Sequence, residues 1–321
     1  MPSRSWTAAD IPDLTGRTAV VTGANSGLGL ETTRELARKG ARVVMACRNE
    51  DKAQRARAED ARTDVERDVP GADPAIEILD LASLASVRDL AERYGSTYDR
   101  LDVLCCNAGI MAIPRSETED GFETQFGVNV LGHFALTGLL LDDLLGTEGS
   151  RVVWLSSMAA WMGSIHFNDL QGEASYDRWR AYNQSKLADL MLALEMNRRL
   201  QNAGSTTLSL AAHPGLSNTN LQSTSVEKNG SLVEKAMYSL GMDRIAMAPA
   251  EGVLPQLRAM ADPFARGGAF YGPHGRMRGK PVEVNPPTSA LDLGVRAHLW
   301  AECERLTGVE MLSEAALAPA A

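Results

Sequence analysis

RTAVVTGANSGLGLETTRELARKG, residues 17–40, joins an apolar run to a helix-like pattern through a turn rich in glycine. The run RTAVVTG (17–23) is almost continuously apolar and rich in β-branched residues, as expected of a strand that is covered on both faces. The pattern over residues 27–39 predicts a helix. A buried strand that passes directly into a helix is typical of the first unit of an α/β fold.

Five further segments share the character of this first strand. They are ARVVMAC (41–47), AIEILDL (75–81), LDVLCCN (101–107), RVVWLSS (151–157) and TTLSLAAH (206–213). Helix-like segments separate several of these strands, at about 83–97, 121–145 and 180–203. This alternation predicts a parallel sheet with right-handed crossovers and helices on both faces, which is a doubly wound, Rossmann-type α/β fold. Because no internal repeat or linker interrupts the pattern, we predict one domain over residues 1–321.

Two stretches depart from the alternation. Residues 216–247 are polar at first and rich in methionine afterwards, and they follow the sixth strand, at the edge where open α/β sheets bind ligands. We interpret them as a substrate loop, with an ordinary surface loop and a core helix as the alternative. The final segment, PPTSALDLGVRAHLWAECERLTG (286–308), predicts a helix that starts at proline and stops at glycine.

The composition limits the class of protein. Hydrophobic residues make up 44% of the chain and charged residues 23%, as in ordinary globular enzymes. The formal net charge of −9 argues against a nucleic acid or an anionic membrane as partner. The four cysteines form no CxxC pair and no Cys/His cluster, so we expect no metal site. Because the chain has no signal-like start and no run of about 18 apolar residues, we predict a cytoplasmic protein without a membrane span.

The glycine turn after the first strand has the chemistry of a phosphate-binding loop. Gly23 permits a turn that a Cβ would obstruct, and the two later glycines of the TGxxxGxG pattern let a pyrophosphate and the next helix approach the backbone. The helix N-terminus presents free N–H groups to the phosphates, and Asn25 and Ser26 could add donors. The predicted phosphate-binding set is Gly23, Asn25, Ser26, Gly27, Leu28 and Gly29.

The end of the second strand selects between two dinucleotides. NAD sites usually place a carboxylate there to accept from the ribose 2′-hydroxyl, whereas NADP sites supply a basic residue for the 2′-phosphate. Here the strand ends in Cys47 and Arg48, with no carboxylate before Glu50. Arg48 could hold a 2′-phosphate through charge-assisted hydrogen bonds, unless it is merely a solvated strand-end residue. We therefore predict NADP as the cofactor in preference to NAD.

Seven short motifs follow one another along the chain, and their combined order is more specific than any one of them. They are TGANSGLG (22–29), LDL (79–81), NAG (107–109), NVLGHF (129–134), SS (156–157), YNQSK (182–186) and HPG (213–215). With these motifs, about 60% of the chain resembles the short-chain dehydrogenase/reductase family. ACRN, FGVNVLGHF and IHFNDLQ further resemble the retinol dehydrogenase-like branch and its bacterial relatives.

The resemblance implies a reaction and an architecture. The reaction is NADP(H)-linked interconversion of an alcohol with an aldehyde or ketone, commonly on lipophilic small molecules. The implied sheet has seven strands, the last of which is GAFYGP (268–273), and the implied assembly is a homodimer.

The resemblance also implies cofactor contacts, residue by residue. Asp80 would bond the adenine beside the Leu81 backbone. Gly109 would need to lack a side chain because bulk there would collide with the cofactor. The implied contacts at the ribose and nicotinamide are Asn107, Ala108, Gly109, Pro214, Gly215 and Thr219, of which the match at Thr219 is the loosest.

Tyr182 and Lys186 carry the implied chemistry. Residues four apart lie on one helix face, and a neighbouring ammonium favours the phenolate form of a tyrosine. Tyr182 could then exchange a proton with the substrate oxygen, while Lys186 also binds the nicotinamide ribose. Ser157 would hold the reacting oxygen; strand alternation points the adjacent Ser156 to the opposite face, and the family pattern favours Ser157. Asn129 would anchor a water that connects Lys186 to solvent.

One departure and two alternatives accompany this hypothesis. Ser157 and Tyr182 lie 25 residues apart, about twice the spacing in many family members, and the extra residues WMGSIHFNDLQGEASYDRW (161–179) resemble an insertion of the retinol dehydrogenase-like branch. A protein that senses or binds NADP without turnover is the main alternative, although such a protein need not keep the Tyr–Lys pair. An S-adenosylmethionine methyltransferase would need a carboxylate at the end of the second strand.

Overall fold

The computed structural model describes residues 6–48, 52–217 and 246–312 of the chain. The strands are β1 Thr18–Thr22, β2 Arg42–Cys47, β3 Ala75–Ile78, β4 Val103–Cys106, β5 Arg151–Leu155, β6 Leu208–Ala212, β7 Phe270–Pro273 and β8 Pro281–Glu283. The helices are α1 Gly27–Arg38, α2 Lys52–Asp68, α3 Leu84–Thr97, α4 Thr124–Phe126, α5 Gly132–Leu139, α6 Leu141–Leu145, α7 Arg178–Asn202, α8 Pro249–Gly252, α9 Leu254–Ala261 and α10 Leu293–Thr307.

The eight described strands form one sheet in the order β3-β2-β1-β4-β5-β6-β7-β8. Neighbouring strands run parallel from β3 to β7, which confirms the predicted parallel α/β sheet, and all seven predicted strands are present. The structure adds β8, which is antiparallel to β7. Strand β8 is difficult to predict from local patterns, because it is a three-residue edge strand that begins with proline, and apolar periodicity cannot be recognised over so short a segment.

Both faces of the sheet are covered, as the apolar runs predicted. Along β1 the buried side chains alternate: Val20 joins the core beneath α3, α5, α7 and α10, whereas Ala19 and Val21 join the core beneath α1, α2 and α9. This two-sided burial explains why the strand sequences are continuously apolar rather than alternating. The core cysteines Cys105 and Cys106 follow the same rule and are both buried.

Helix α2 was absent from the predicted helices, because its sequence KAQRARAEDARTDVERD is dominated by charged residues. Its apolar contribution to the core is a narrow stripe of Ala58, Ala61 and Val65. The final helix α10 ends at Gly308, which has a φ of 65° and stops the helix as predicted. Its start differs from the prediction, since Asp292 caps α10 while the prolines precede a separate 3-10 turn, Thr288–Leu291.

The segment predicted as a single helix over residues 121–145 begins at Thr124 and contains a turn of π-helix, Gly127–Leu131, between α4 and α5. A π-turn widens the helix and redirects the residues within it, and such turns are frequent at functional sites. Asn129 lies at the centre of this turn.

The strand order reverses direction between β1 and β4, and the carboxyl ends of these strands are the usual ligand-binding edge of such a sheet. No helix within the described ranges combines the length and the apolar character needed to cross a membrane.

Candidate active site

The predicted Tyr–Lys pair lies on the buried face of α7, beside the carboxyl end of β5. Tyr182 is 6% exposed and Lys186 is 5% exposed. The Lys186 ammonium donates to the carbonyl oxygen of Leu155, the last residue of β5, over 2.9 Å. A second bond from the same ammonium, 2.8 Å long, reaches Oδ2 of Asp189 one turn further along α7. The pair is therefore fixed against the strand that leads into Ser157.

The adjacent serines at the end of β5 have different surroundings. Ser156 is 3% exposed and donates to the backbone oxygen of Lys186 over 2.6 Å, so its hydroxyl is occupied in joining β5 to α7. Ser157 is half-buried, and its oxygen caps the 3-10 turn Met158–Met162 by accepting from the N–H of Ala159 at 3.2 Å. That contact leaves the Ser157 proton available for another acceptor. The two hydroxyls therefore have different partners, and only that of Ser156 is bonded to α7.

Asn129 connects the loop after β4 to α7 and is completely buried. Its side-chain oxygen accepts from the N–H of Ile110 at 2.9 Å, and its side-chain nitrogen donates to the Ile110 oxygen at 3.0 Å and to Ser185 Oγ at 2.9 Å. Ser185 in turn donates to the backbone oxygen of Tyr182. The amide therefore ties the β4 loop to the helical turn that carries the Tyr–Lys pair.

A buried histidine continues this connection toward β1. His133 Nδ1 lies 2.9 Å from the backbone oxygen of Asn129, and Nε2 lies 2.9 Å from Thr22 Oγ1. Because a carbonyl can only accept, the proton must be on Nδ1, and Nε2 accepts from the threonine hydroxyl. Burial lowers the pKa of His133 to about 4, so the ring is neutral near pH 7. Thr22 Oγ1 also accepts from the backbone N–H groups of Asn107 and Ala108, both at 2.9 Å.

The glycine loop brings α1 very close to the sheet. Gly23 has a φ of 65°, which a residue with a side chain rarely adopts. A Cβ at Gly29 would collide with the Gly23 oxygen and lie 2.7 Å from Asn107 Nδ2. The loop therefore packs closely against the sheet at Gly29. At the N-terminus of α1, the Ser26 hydroxyl makes no capping hydrogen bond to the helix, although Ser26 is its N-cap residue.

Cys47 and Arg48 occupy the end of β2 next to this loop. Cys47 is 2% exposed, and burial raises the pKa of its thiol to about 12, although hydrogen bonds to the backbone of Ala24 and Asn25 oppose the shift. A neutral group thus stands where NAD-binding sheets usually carry a carboxylate. Arg48 is exposed at the strand end. The predicted preference for a 2′-phosphate is compatible with this arrangement.

The predicted adenine and ribose residues lie after β3 and β4. Asp80 Oδ1 accepts from the N–H of Ala82 at 2.9 Å, which fixes the turn that contains Leu81. Asn107 donates from its side chain to the Thr22 oxygen at 2.8 Å, so its amide ties β4 to β1. A Cβ at Gly109 would lie 3.2 Å from Asn129 Oδ1 and 3.7 Å from Lys186 Nζ. The space for a side chain at Gly109 is therefore limited by Asn129 and Lys186, two of the predicted catalytic residues.

The predicted nicotinamide residues follow β6. Gly215 has a φ of 69°, and a Cβ there would lie 2.5 Å from the Met277 oxygen and 2.7 Å from Pro273 Cγ. Pro214 and Gly215 are thus held against the loop after β7. Thr219, and the predicted substrate loop from residue 218 to residue 245, lie outside the described residues.

The insertion between Ser157 and Tyr182 is fastened to the loop after β4 by a buried polar cluster. Gln125 donates to Tyr176 Oη at 2.9 Å and accepts from the N–H of Ala112 at 2.6 Å. Tyr176 Oη lies 3.0 Å from the Ile113 oxygen, to which it can donate, and 3.1 Å from Glu123 Oε1. Burial raises the pKa of the Glu123 carboxyl. Tyr176 therefore joins the insertion to the sheet edge, and its phenol is fully engaged there.

Two residues of this network were missed in the sequence. Asp189 lies three residues after Lys186 in the apolar run LADLMLALEM, and His133 lies four residues after Asn129. Both spacings place the residue on the same helix face as its partner, so helical periodicity contained a signal for both. A charged residue within a buried apolar helix face is itself a reason to look for a partner.

This order of groups, from the glycine turn through Asn129 to the Tyr–Lys pair, can be compared with known proteins. A family model described as short chain dehydrogenase matches residues 17–230. The chain belongs to the short chain dehydrogenase family. It is accordingly an oxidoreductase of that family, and the predicted Rossmann-type α/β fold is confirmed.

Named relatives define the branch of the family. Retinol dehydrogenase 14 of Homo sapiens is 39% identical over 309 residues, which cover 92% of this chain and 87% of that protein. Retinol dehydrogenase 12 of Mus musculus is 47% identical over 201 residues; the match covers 63% of this chain and 61% of that relative's length. The chain is a short chain dehydrogenase of the retinol dehydrogenase-like branch.

Solved structures agree with this assignment. An uncharacterized protein from Mycobacterium Paratuberculosis has a TM-score of 0.78 at 42% identity, with 96% of this chain and 99% of that chain covered. A short chain dehydrogenase from Shigella flexneri, complexed with NADP, has a TM-score of 0.59 at 25% identity, with coverage of 80% and 97%.

Proposed function

We propose that this protein catalyses the NADP(H)-dependent interconversion of an alcohol and an aldehyde or ketone, with a lipophilic small molecule as substrate. The observation that carries the proposal is the buried Tyr182–Lys186 pair at the end of β5, held in place by Leu155 and Asn129. A pair that served only the surface of a helix would be exposed. The retinol dehydrogenase names of the relatives support an apolar alcohol as one substrate class.

The residues at the sheet edge fit a nicotinamide dinucleotide. The N-terminus of α1 offers backbone N–H groups for the pyrophosphate, and the Ser26 hydroxyl makes no cap bond to the helix. Arg48 would hold the 2′-phosphate, Asp80 the adenine side, and Lys186 the nicotinamide ribose. The NADP complex of a related short chain dehydrogenase supports the choice of NADP over NAD. Bound there, the nicotinamide would supply or accept the hydride.

The protein's own groups would then manage the proton. Tyr182 gives its proton to the substrate oxygen in carbonyl reduction and takes it back in alcohol oxidation. The ammonium of Lys186 stabilises the phenolate that remains after the proton has left. Ser157 donates to the substrate oxygen and stabilises negative charge on it. Asn129 holds the turn that carries these groups, and we propose that it also anchors the water through which Lys186 exchanges protons with solvent.

The test is NADPH oxidation at 340 nm with a panel of aliphatic, aromatic, retinoid and steroid aldehydes and ketones, with NADH in parallel. Tyr182→Phe should abolish turnover, by about a thousandfold or more, while NADPH affinity remains nearly unchanged, because the variant loses only the phenolic hydroxyl that exchanges the proton. Tyr176→Phe is the matched control, since that phenol belongs to the insertion cluster.

Undiminished turnover in Tyr182→Phe would remove Tyr182 from the mechanism. Tight NADPH binding by the unmodified protein without turnover of any carbonyl would favour a sensor that binds NADP. A cytoplasmic location and a homodimer remain predictions from the sequence.

A further inference from the structure

The ammonium of Lys186 forms an ion pair with the carboxylate of Asp189, which has no role in the proposed reaction. Asp189 Oδ2 accepts from Lys186 Nζ at 2.8 Å, and the side chains of the two residues are 3% and 6% exposed, respectively. Both belong to α7, three residues apart, so the contact needs no distant element to form it. This is a fully buried ion pair directly at the proposed catalytic lysine.

A buried ammonium is difficult to keep charged. Burial in a medium of low polarity can lower the pKa of a lysine by about 3–5 units, into the range where it is neutral under working conditions. Burial also lowers the pKa of Lys186, but the charge and hydrogen bond of Asp189, with smaller contributions from Tyr182 and Cys106, outweigh it, and the pKa ends above the ordinary value of a lysine. The carboxylate therefore keeps the lysine protonated where the solvent cannot.

The buried thiols and the imidazole that face the pair are uncharged near pH 7. Burial raises the thiol pKa of Cys106 on β4 and of Cys303 on α10 well above their ordinary value. Burial lowers the pKa of His133 on α5 to about 4. The remaining neighbour is Tyr182, one turn before Lys186 on α7 itself.

Asp189 contributes little to the stability of the folded protein. Its second oxygen, Oδ1, is buried and has no partner among the described residues. Burial raises the pKa of its carboxyl to about 6, which reflects the unfavourable surroundings of the charge. Its neighbours Leu190 and Met191 on α7 are apolar and buried. An apolar residue would satisfy the packing better than a half-bonded carboxylate does.

The geometry explains what the carboxylate contributes. Of the three N–H groups of Lys186, one is bonded to Leu155 and one to Asp189. The third has no partner among the described residues, and Nζ lies beside Gly109, where a Cβ would be 3.7 Å away. We propose that Asp189 is a positioning residue, which keeps Lys186 charged and fixed at the end of β5 with one N–H left for the cofactor and the phenolate. The catalytic part of this proposal rests on the proposed function, whereas the part concerning the charge of Lys186 does not.

The charge of Lys186 can be measured without turnover. The chain has six lysines, and protein labelled with 15N-lysine gives an Nζ resonance for a buried, hydrogen-bonded ammonium that Lys186→Arg would assign. In Asp189→Asn, which keeps the shape and an acceptor but removes the charge, we expect the Lys186 titration midpoint to fall by at least about one pH unit, a tenfold loss of proton affinity. Asp189→Glu restores the carboxylate and should restore the midpoint, even where Asp189→Asn folds poorly.

The second measurement is the pH profile of kcat/KM for alcohol oxidation. Asp189→Asn should lose activity as the pH rises through the new Lys186 midpoint, by about tenfold at one pH unit above that midpoint. Glu195→Gln is the matched control, because Glu195 is another buried carboxylate of α7, paired with Arg198 and Arg199 rather than with Lys186. Its profile should keep its shape.

Each outcome decides a different part of the proposal. An unchanged Lys186 midpoint in Asp189→Asn would overturn it entirely. A lowered midpoint with an unchanged pH profile in an active enzyme would overturn the positioning role. If the unmodified protein shows no turnover, the proposed function fails, and the Lys186 midpoint alone still decides whether Asp189 maintains the charge.

Discussion

The two ends of the proposed site are constructed in opposite ways. At the α7 end, Lys186 and Asn129 are 5% and 0% exposed, and each has hydrogen-bond partners within the protein. At the phosphate end, Arg48 is exposed and the loop of Gly23 and Gly29 offers backbone groups. A proton must be moved at one defined atom, which requires groups that are oriented before the ligand arrives. A phosphate carries its charge permanently, and an exposed cation with backbone N–H groups suffices to bind it.

The difference has an energetic consequence. Removing one partner of a buried ion pair costs about 3–5 kcal/mol, because the other charge is left without compensation. Exposed charges contribute about 0–1 kcal/mol to stability. Substitutions at the α7 end should therefore alter chemistry and stability together, whereas substitutions at Arg48 should alter only the choice of cofactor.

Apart from Tyr182→Phe, the largest effect is expected at the end of β5. Ser157→Ala should lower kcat by about 100–1000-fold, because it removes a hydrogen-bond donor to the reacting oxygen. Ser156→Ala is the paired control: its hydroxyl donates to the Lys186 backbone, so its loss should lower the melting temperature while kcat falls far less. Steady-state kinetics and thermal melts of both variants give the answer. Equal losses of kcat in the two variants would remove the distinction between the serines.

A smaller effect is expected at the phosphate end. Arg48→Asp should reduce the ratio of kcat/KM for NADPH to that for NADH by about 10–100-fold, since a charge-assisted hydrogen bond is replaced by repulsion. The melting temperature should hardly change. Arg57→Asp introduces the same change of charge on the exposed side of α2 and should leave the ratio intact. A ratio that is the same in both variants would show that another residue binds the 2′-phosphate.

The third prediction concerns stability rather than turnover, at the histidine that connects the two ends. The pKa of His133 is about 4 in the folded protein and ordinarily 6.5, so the unfolded chain binds more protons between these values. The free energy of unfolding should therefore fall by about 1.4 kcal/mol per pH unit on account of His133 as the pH drops from about 6.5 to about 4. His133→Asn should flatten the measured slope by this amount in denaturant titrations.

The buried His213 contributes a slope of the same sign, and Asp189, whose pKa is raised, contributes one of opposite sign. The contributions of His213 and Asp189 are present in both the unmodified protein and His133→Asn, so they cancel when the two slopes are subtracted. The exposed His274, replaced by Asn, serves as the control. An unaltered slope in His133→Asn would mean that the ring is not held neutral.

Local patterns predicted those parts of the fold that repeat along the chain. The strands that end at Thr22 and Leu155 lie within the predicted limits, because burial on both faces makes them continuously apolar. Helix α2 was missed because it presents only a narrow apolar stripe to the core, and β8 because an edge strand of three residues has no measurable period. The π-turn at Asn129 also left no local signal, since it depends on the packing of the whole segment.

The sequence by itself determined the family, the doubly wound sheet, the glycine turn at Gly23 and the position of Tyr182 and Lys186 on one helix face, since each follows from residue types at fixed spacing. Only the tertiary structure decided which groups satisfy the proposed catalytic lysine, that Ser156 is tied to α7, and that His133 joins Asn129 to Thr22. These contacts join residues that are up to 111 positions apart in the chain. Periodicity fixes the face on which a side chain lies, but its partner depends on how the elements pack.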